Sequence, residues 1–142
     1  MLADEKLQGA VFGRVSNDAQ LAQIMGQPVA EFFDYVPDHV TFPYINYQLV
    51  QSTENDTSTE ESFETVFALH VWSIKEGTRE THRILQRLYR LFHNQPDLVL
   101  ELYKVVNLQY QVSEVLRDPD GATYHGIIRF RAVLDNLEIG TP

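Results

Sequence analysis

Cysteine is absent from this chain of 142 residues. A disulfide framework and any thiolate chemistry, nucleophilic or metal-binding, are thereby excluded. Basic residues are scarce: 11 Lys and Arg stand against 20 Asp and Glu, a formal net charge of −9. A free-standing nucleic-acid binder carries a basic balance or stripe, so tight DNA binding by the whole surface is not expected. An acidic surface suits the opposite task, letting DNA slide past without sticking. No run approaches the ~18 apolar residues of a membrane span. The start, Met1-Leu2-Ala3-Asp4-Glu5, is acidic at once and lacks the apolar core of a secretory signal. These absences predict the cytoplasm, or a particle assembled there. There is also no phosphate loop, glycine fingerprint or nucleophile elbow.

What is present patterns well. The length suits one domain over residues 1–142, able to bury roughly 70% of its unfolded surface. Residues 4–16 predict a helix with Leu7, Val11 and Phe12 on one face, and Ser16-Asn17-Asp18 is cap-like. A short helix with Leu21, Ile24 and Met25 follows and ends at Gly26. Val29 to Tyr35 predicts a strand. From Phe42-Pro43 a better one opens, with Ile45, Tyr47 and Leu49 on one side and Asn46 and Gln48 on the other. In the strand Phe63 to Ser73, Phe63, Thr65, Phe67, Leu69 and Val71 share a face. The other face, Glu64, Val66, Ala68, His70 and Trp72, turns from polar to apolar, so its second half is expected to be covered on both sides. Gly77 to His93 predicts a helix with the stripe Ile84, Leu85, Leu88, Leu91 and Phe92. In the next strand Val106, Leu108, Tyr110 and Val112 are expected to face inward.

The stretch "LRDPDGATYHGIIRFR" (116–131) decides between enzyme and assembly component. Asp118-Pro119-Asp120-Gly121 fits a type I turn position by position, with Gly121 supplying the left-handed residue of a bulged hairpin. Tyr124 onward then alternates as a returning strand. As a calcium loop with Gly121 in sixth place, the stretch has Leu116 first and Ile127 twelfth, and so lacks its first ligand and its bidentate glutamate. His82 and His93 would lie ~16 Å apart along one helix, too far for one zinc. A metal-dependent hydrolase using His125 with Asp118 or Asp120 stays open, because sequence alone does not show who sits opposite. So does a monomeric acidic adaptor.

The elements predict an α+β domain with a mainly antiparallel sheet of four to five strands packed on helices, in the order α(α)-β-β-β-α-β-β. Between two strands, residues 51–62 predict a flexible acidic loop. Glu54, Asp56, Glu60 and Glu61 lie in it and Glu64 follows just beyond, with no basic residue among residues 51–64. Arg79, Arg83, Arg87 and Arg90 form one basic stripe on the long helix. The plain reading of that stripe is a solvated face, with docking of another subunit's acidic loop or contact with DNA as the alternatives. An eleven-residue strand at ~3.3 Å per residue separates loop and helix by ~36 Å, so if the two pair, a neighbouring subunit is the expected partner. With Trp72, these are the candidate subunit-interface residues.

Three stretches together, "YVPDHVTFPYINY" (35–47), "LHVWSIKEGTRETHRILQRL" (69–88) and "VLRDPDGATYHGIIRFRAVL" (115–134), resemble the tail terminator (tail completion) proteins of long-tailed bacteriophages and gene transfer agents. The resemblance runs over nearly the whole chain. It implies a hexameric ring at the head-proximal, neck-proximal end of the virion tail, assembled in the host cytoplasm. Such a ring stops tube polymerisation and joins the tail to the neck. The implied partners are further copies of the chain, the tail tube protein and a neck or stopper protein, with DNA passing through the ring without specific binding and no membrane involved. The family brings no catalytic residue, cofactor or metal to carry over.

Overall fold

Helices α1 (Leu2–Ser16) and α2 (Ala19–Met25) come first, then strands β1 (Phe32–Phe33), β2 (Tyr44–Glu54) and β3 (Ser62–Ser73). Helix α3 (Arg79–Phe92) precedes β4 (Tyr103–Arg117) and β5 (Tyr124–Asn136). This computed structural model describes residues 2–54, 61–75 and 77–137. The strands form one sheet in the order β1-β2-β3-β5-β4. β1 runs parallel to β2, and the remaining pairs are antiparallel. The fold is therefore the α+β arrangement expected. β3 and β4 are both antiparallel to β5, which lies between them. α3 is thus the crossover linking two strands of one direction, and β5 fills the gap.

All three helices lie on one face of the sheet. Ala3, Leu7, Val11 and Val15 recur every four residues and bury one stripe of α1. Asp18 caps α2 by accepting from the Leu21 N–H at 2.8 Å, and Gly26 ends it with a left-handed φ of 68°. α3 buries Thr81, Ile84, Leu85, Leu88 and Phe92 against Phe67, Leu69, Ile128 and Phe130 of the two central strands. Full burial of each of the apolar side chains stabilises by about 1.5–3 kcal/mol. The helix comes close at Gly126, where an added Cβ would sit 2.7 Å from Thr81 Cγ2 and 3.1 Å from Leu85 Cδ1. Arg14 of α1 fastens the far end of α3, donating to the carbonyls of Leu91 and Gln95 and to Asp97 at 2.8–3.1 Å.

Several expectations need correction. The strand over Val29–Tyr35 shrinks to Phe32–Phe33, because Gln27 takes its neighbours' polar groups: its side chain accepts from the Glu31 N–H and donates to the Pro43 carbonyl. Phe12 is 46% exposed and meets Phe32 edge-on instead of joining the core. Leu49 faces solvent beside a register shift at Leu49/Gln51. In β4, shifts at Val105/Asn107 and Tyr110/Val112 break the alternation. Leu108 is buried and Tyr110 packs on the core, whereas Val106 and Val112 point outward. A bulge adds one residue and flips the phase of everything beyond it. The second half of β3 is not covered on both sides. Among the described residues no helix lies over the face carrying His70 and Trp72, whose shelter comes from neighbours in the sheet.

Candidate assembly surfaces

The α2–α3 face bears the basic stripe. Arg79, Arg83 and Arg90 are exposed, with Arg90 leaning over the Tyr89 ring at 5.7 Å. Arg87 differs. Its Nε and Nη2 donate to Asp18 Oδ2 and Oδ1 at 2.8 and 2.7 Å, a two-pronged pair tying α3 to the cap of α2. The pair holds the Asp18 carboxyl below the usual carboxylate range and raises the guanidinium. Arg87 is therefore engaged inside the subunit. Beside it a cleft of about 440 Å³ opens between the helices, floored by Ile24 and rimmed by Arg83 and Arg90.

At the opposite end of β3, the β2–β3 ladder continues to Glu54↔Phe63, so the base of the acidic loop is strand. Asp56 and Glu60 lie outside the described residues. Glu61 accepts from Asn136 Nδ2 at 3.0 Å. Glu64 pairs with Arg131 across β3 and β5 at 2.8 Å, and that pairing lowers its carboxyl. Only Glu54 of the described acidic candidates is exposed at the strand end.

The uncovered face of the sheet carries a stack of rings that sequence reading missed. Trp72 lies half-buried and flat on His125, centroids 3.7 Å apart at 11°. Its other ring contact is Tyr44 at 6.4 Å, and its indole N–H donates to Asn46 at 2.8 Å. His70 Nδ1 lies 2.7 Å from His125 Nε2, and His70 Nε2 lies 2.6 Å from Gln48 Oε1. These residues sit on three strands whose register no single-chain pattern discloses; the only sequence signal is aromatic and histidine residues alternating on one strand face.

The 118–121 turn closes as expected. The Gly121 N–H donates to the Asp118 carbonyl at 2.9 Å, and Gly121 has φ 73°. The Asp120 carboxylate accepts from the N–H groups of Ala122 and Thr123 and from the Thr123 hydroxyl at 2.7–2.9 Å, and these bonds lower its pKa. It is thus committed to the turn, while His125 is committed to His70 and Trp72. Asp118 reaches His125 only as a nearby charge. The hydrolase arrangement is not assembled, and no cluster of three His, Asp or Glu able to hold a metal occurs among the described residues.

The family described as tail completion protein gp17 matches residues 9–135. A chain from the virion of a native gene transfer agent particle shares the fold with a TM-score of 0.84 and 20% identity, covering 94% of this chain and 97% of that one. The bacteriophage SPP1 gp17 protein aligns with a TM-score of 0.56 and 26% identity, over 93% of this chain and 91% of that one. No curated protein matches the chain.

Proposed function

This chain belongs to the tail completion protein gp17 family, and from that premise we propose that it terminates a phage-like tail as a hexameric ring. It is a structural tail protein and not an enzyme. In the proposed assembly the ring seats on the head-proximal tip of the tail tube, stops its growth and offers its other face to a neck or stopper protein. Assembly takes place in the host cytoplasm. The carrying observation is the extent of the family match, which reaches from within α1 to one residue short of the end of β5. The acidic balance of −9 is compatible with DNA passing through without specific binding.

The subunit contact we propose is head-to-tail, the kind that generates a ring when its rotation closes. Glu54, Asp56, Glu60 and Glu61 of one copy would face Arg79, Arg83 and Arg90 of the next. Arg87 is left out because Asp18 holds it. Glu64 is left out because Arg131 holds it. Exposed pairs contribute only ~0–1 kcal/mol each, so they set register and salt sensitivity more than strength. Trp72, half-buried on the uncovered face, is proposed as a second contact. The test is the Arg79→Glu, Arg83→Glu double variant. It should stay folded by circular dichroism yet yield overlong or headless tails, with partial rescue by Glu60→Lys and Glu61→Lys. Normal tails at both low and high salt would rule out this contact. Normal-length tails in the complete absence of the protein would rule out termination itself.

A further inference from the structure

We propose that His70 and His125 form a proton-operated latch across the uncovered face of the sheet, held closed while His70 is neutral and opened when both imidazoles are protonated. The hydrogen-bond chain dictates this order. The Gln48 amide oxygen only accepts, so the proton on neutral His70 is at Nε2. Nδ1 of His70 is then an acceptor, and Nε2–H of His125 is the donor across 2.7 Å. A first proton can enter at Nδ1 of His125 without disturbing that bond, which becomes charge-assisted. A second proton must occupy Nδ1 of His70. Two N–H groups would then point at each other across 2.7 Å, and the rings must part.

The surroundings favour the same sequence. β2 presents Tyr44, Asn46 and Gln48 to the pair. β3 adds Trp72 and, farther along, Glu64, neutralised by Arg131 of β5. Burial lowers His125, while Asp118 and Glu114 at the β4 end raise it. His70 is pushed down to about 4 by burial first, then by His125 and Arg129. No helix covers this face among the described residues. The first proton therefore goes to His125 and the second to His70. Both groups favour their neutral forms in the fold, so their contribution is present at neutral pH and is lost as pH falls through the lowered values. Opening frees His125 from beneath Trp72 and adds two imidazolium charges to an aromatic surface that already carries Arg129.

Trp72 is the only tryptophan in the chain and reports on the ring stacked upon it. The experiment is an imidazole ¹⁵N titration of the intact protein from pH 8 to 3.5, with indole fluorescence recorded in parallel and circular dichroism tracking the fold. Expected are two separate midpoints, His125 above His70, with fluorescence quenched through the first and recovering through the second, as His125 leaves the indole. In His125→Gln the His70 midpoint should rise by about one unit, because the facing cation is gone. An unchanged His70 midpoint in that variant would overturn the latch. If the variant does not fold, the wild-type protein still decides: coincident midpoints near the ordinary histidine value, or a His70 Nδ1 that carries a proton at pH 7.5, would also overturn it.

Discussion

Replacing Asp18 separates two roles held by one side chain. Asp18→Asn keeps an oxygen that can accept from Leu21 N–H but removes the charge facing Arg87. Asp18→Ala removes both. An N-cap contributes about 1 kcal/mol. The pair with Arg87 has side-chain exposures of 22% for the arginine and 13% for the aspartate. It therefore lies between surface pairs at ~0–1 kcal/mol and charged hydrogen bonds at ~1.5–3 kcal/mol. The expected cost is about 1–2 kcal/mol for Asn and about 2–3 kcal/mol for Ala. Urea unfolding measures these costs, and thermal melts should move by roughly 3–4 °C per kcal/mol. In an Arg87→Met background the Asn substitution should cost little, since its target is gone. The pH dependence has a definite sign. Because Arg87 depresses the folded-state pKa of Asp18, its contribution is full above the ordinary aspartate range. It starts to fade only as pH drops below the ordinary aspartate value and is gone once pH has passed the lowered folded value, so wild type and Asp18→Asn should converge in stability only in that acid range. Equal losses for Asn and Ala, or a deficit of Asn that persists undiminished at pH 3, would refute this division of roles.

Gly126→Ala forces a methyl group to 2.7 Å from Thr81 Cγ2 on a buried, β-branched side chain with little room to yield. It should cost about 1–3 kcal/mol by denaturant midpoint, and an unchanged midpoint would mean that α3 moves away freely. Gly9→Ala lies inside α1 with nothing within 4 Å of the new methyl, so it should stabilise by up to about 1 kcal/mol in a thermal melt; destabilisation would show that the open space is misjudged.

Legibility followed the range of the interactions. The α3 stripe and the Asp118–Gly121 turn depend on spacings of three or four residues, and both appear where the pattern puts them. The face of β3 holding Phe63, Thr65, Phe67, Leu69 and Val71 was equally plain, since all five are buried. Failures came where one distant residue decides. Gln27 capped the groups of a would-be strand, and two bulges reset β4 while its local alternation still read smoothly. For the surfaces, charge was legible but commitment was not: Arg87 belongs to the same stripe as Arg83, yet Asp18, far earlier in the chain, has claimed it. The ring stack of Tyr44, Trp72 and His125 needed the register of β2, β3 and β5 together.

The placement of β5 between β3 and β4 has a kinetic consequence. Apart from the short edge strand β1, the sheet consists of two local hairpins, β2–β3 and β4–β5, laid side by side, and the seam between them joins strands far apart in the chain. The β4–β5 connection spans residues 118–123, whereas closing the seam spans residues 74–123. By polymer loop closure the longer connection costs roughly 2 kcal/mol more in entropy. The hairpins and α3 should therefore form before the seam zips. Truncations at Leu69 or Ile128, both buried on the seam, should accelerate unfolding more than they slow folding. If they mainly slow folding, the seam itself is the nucleus, and β3 and β5 find each other before either hairpin is complete.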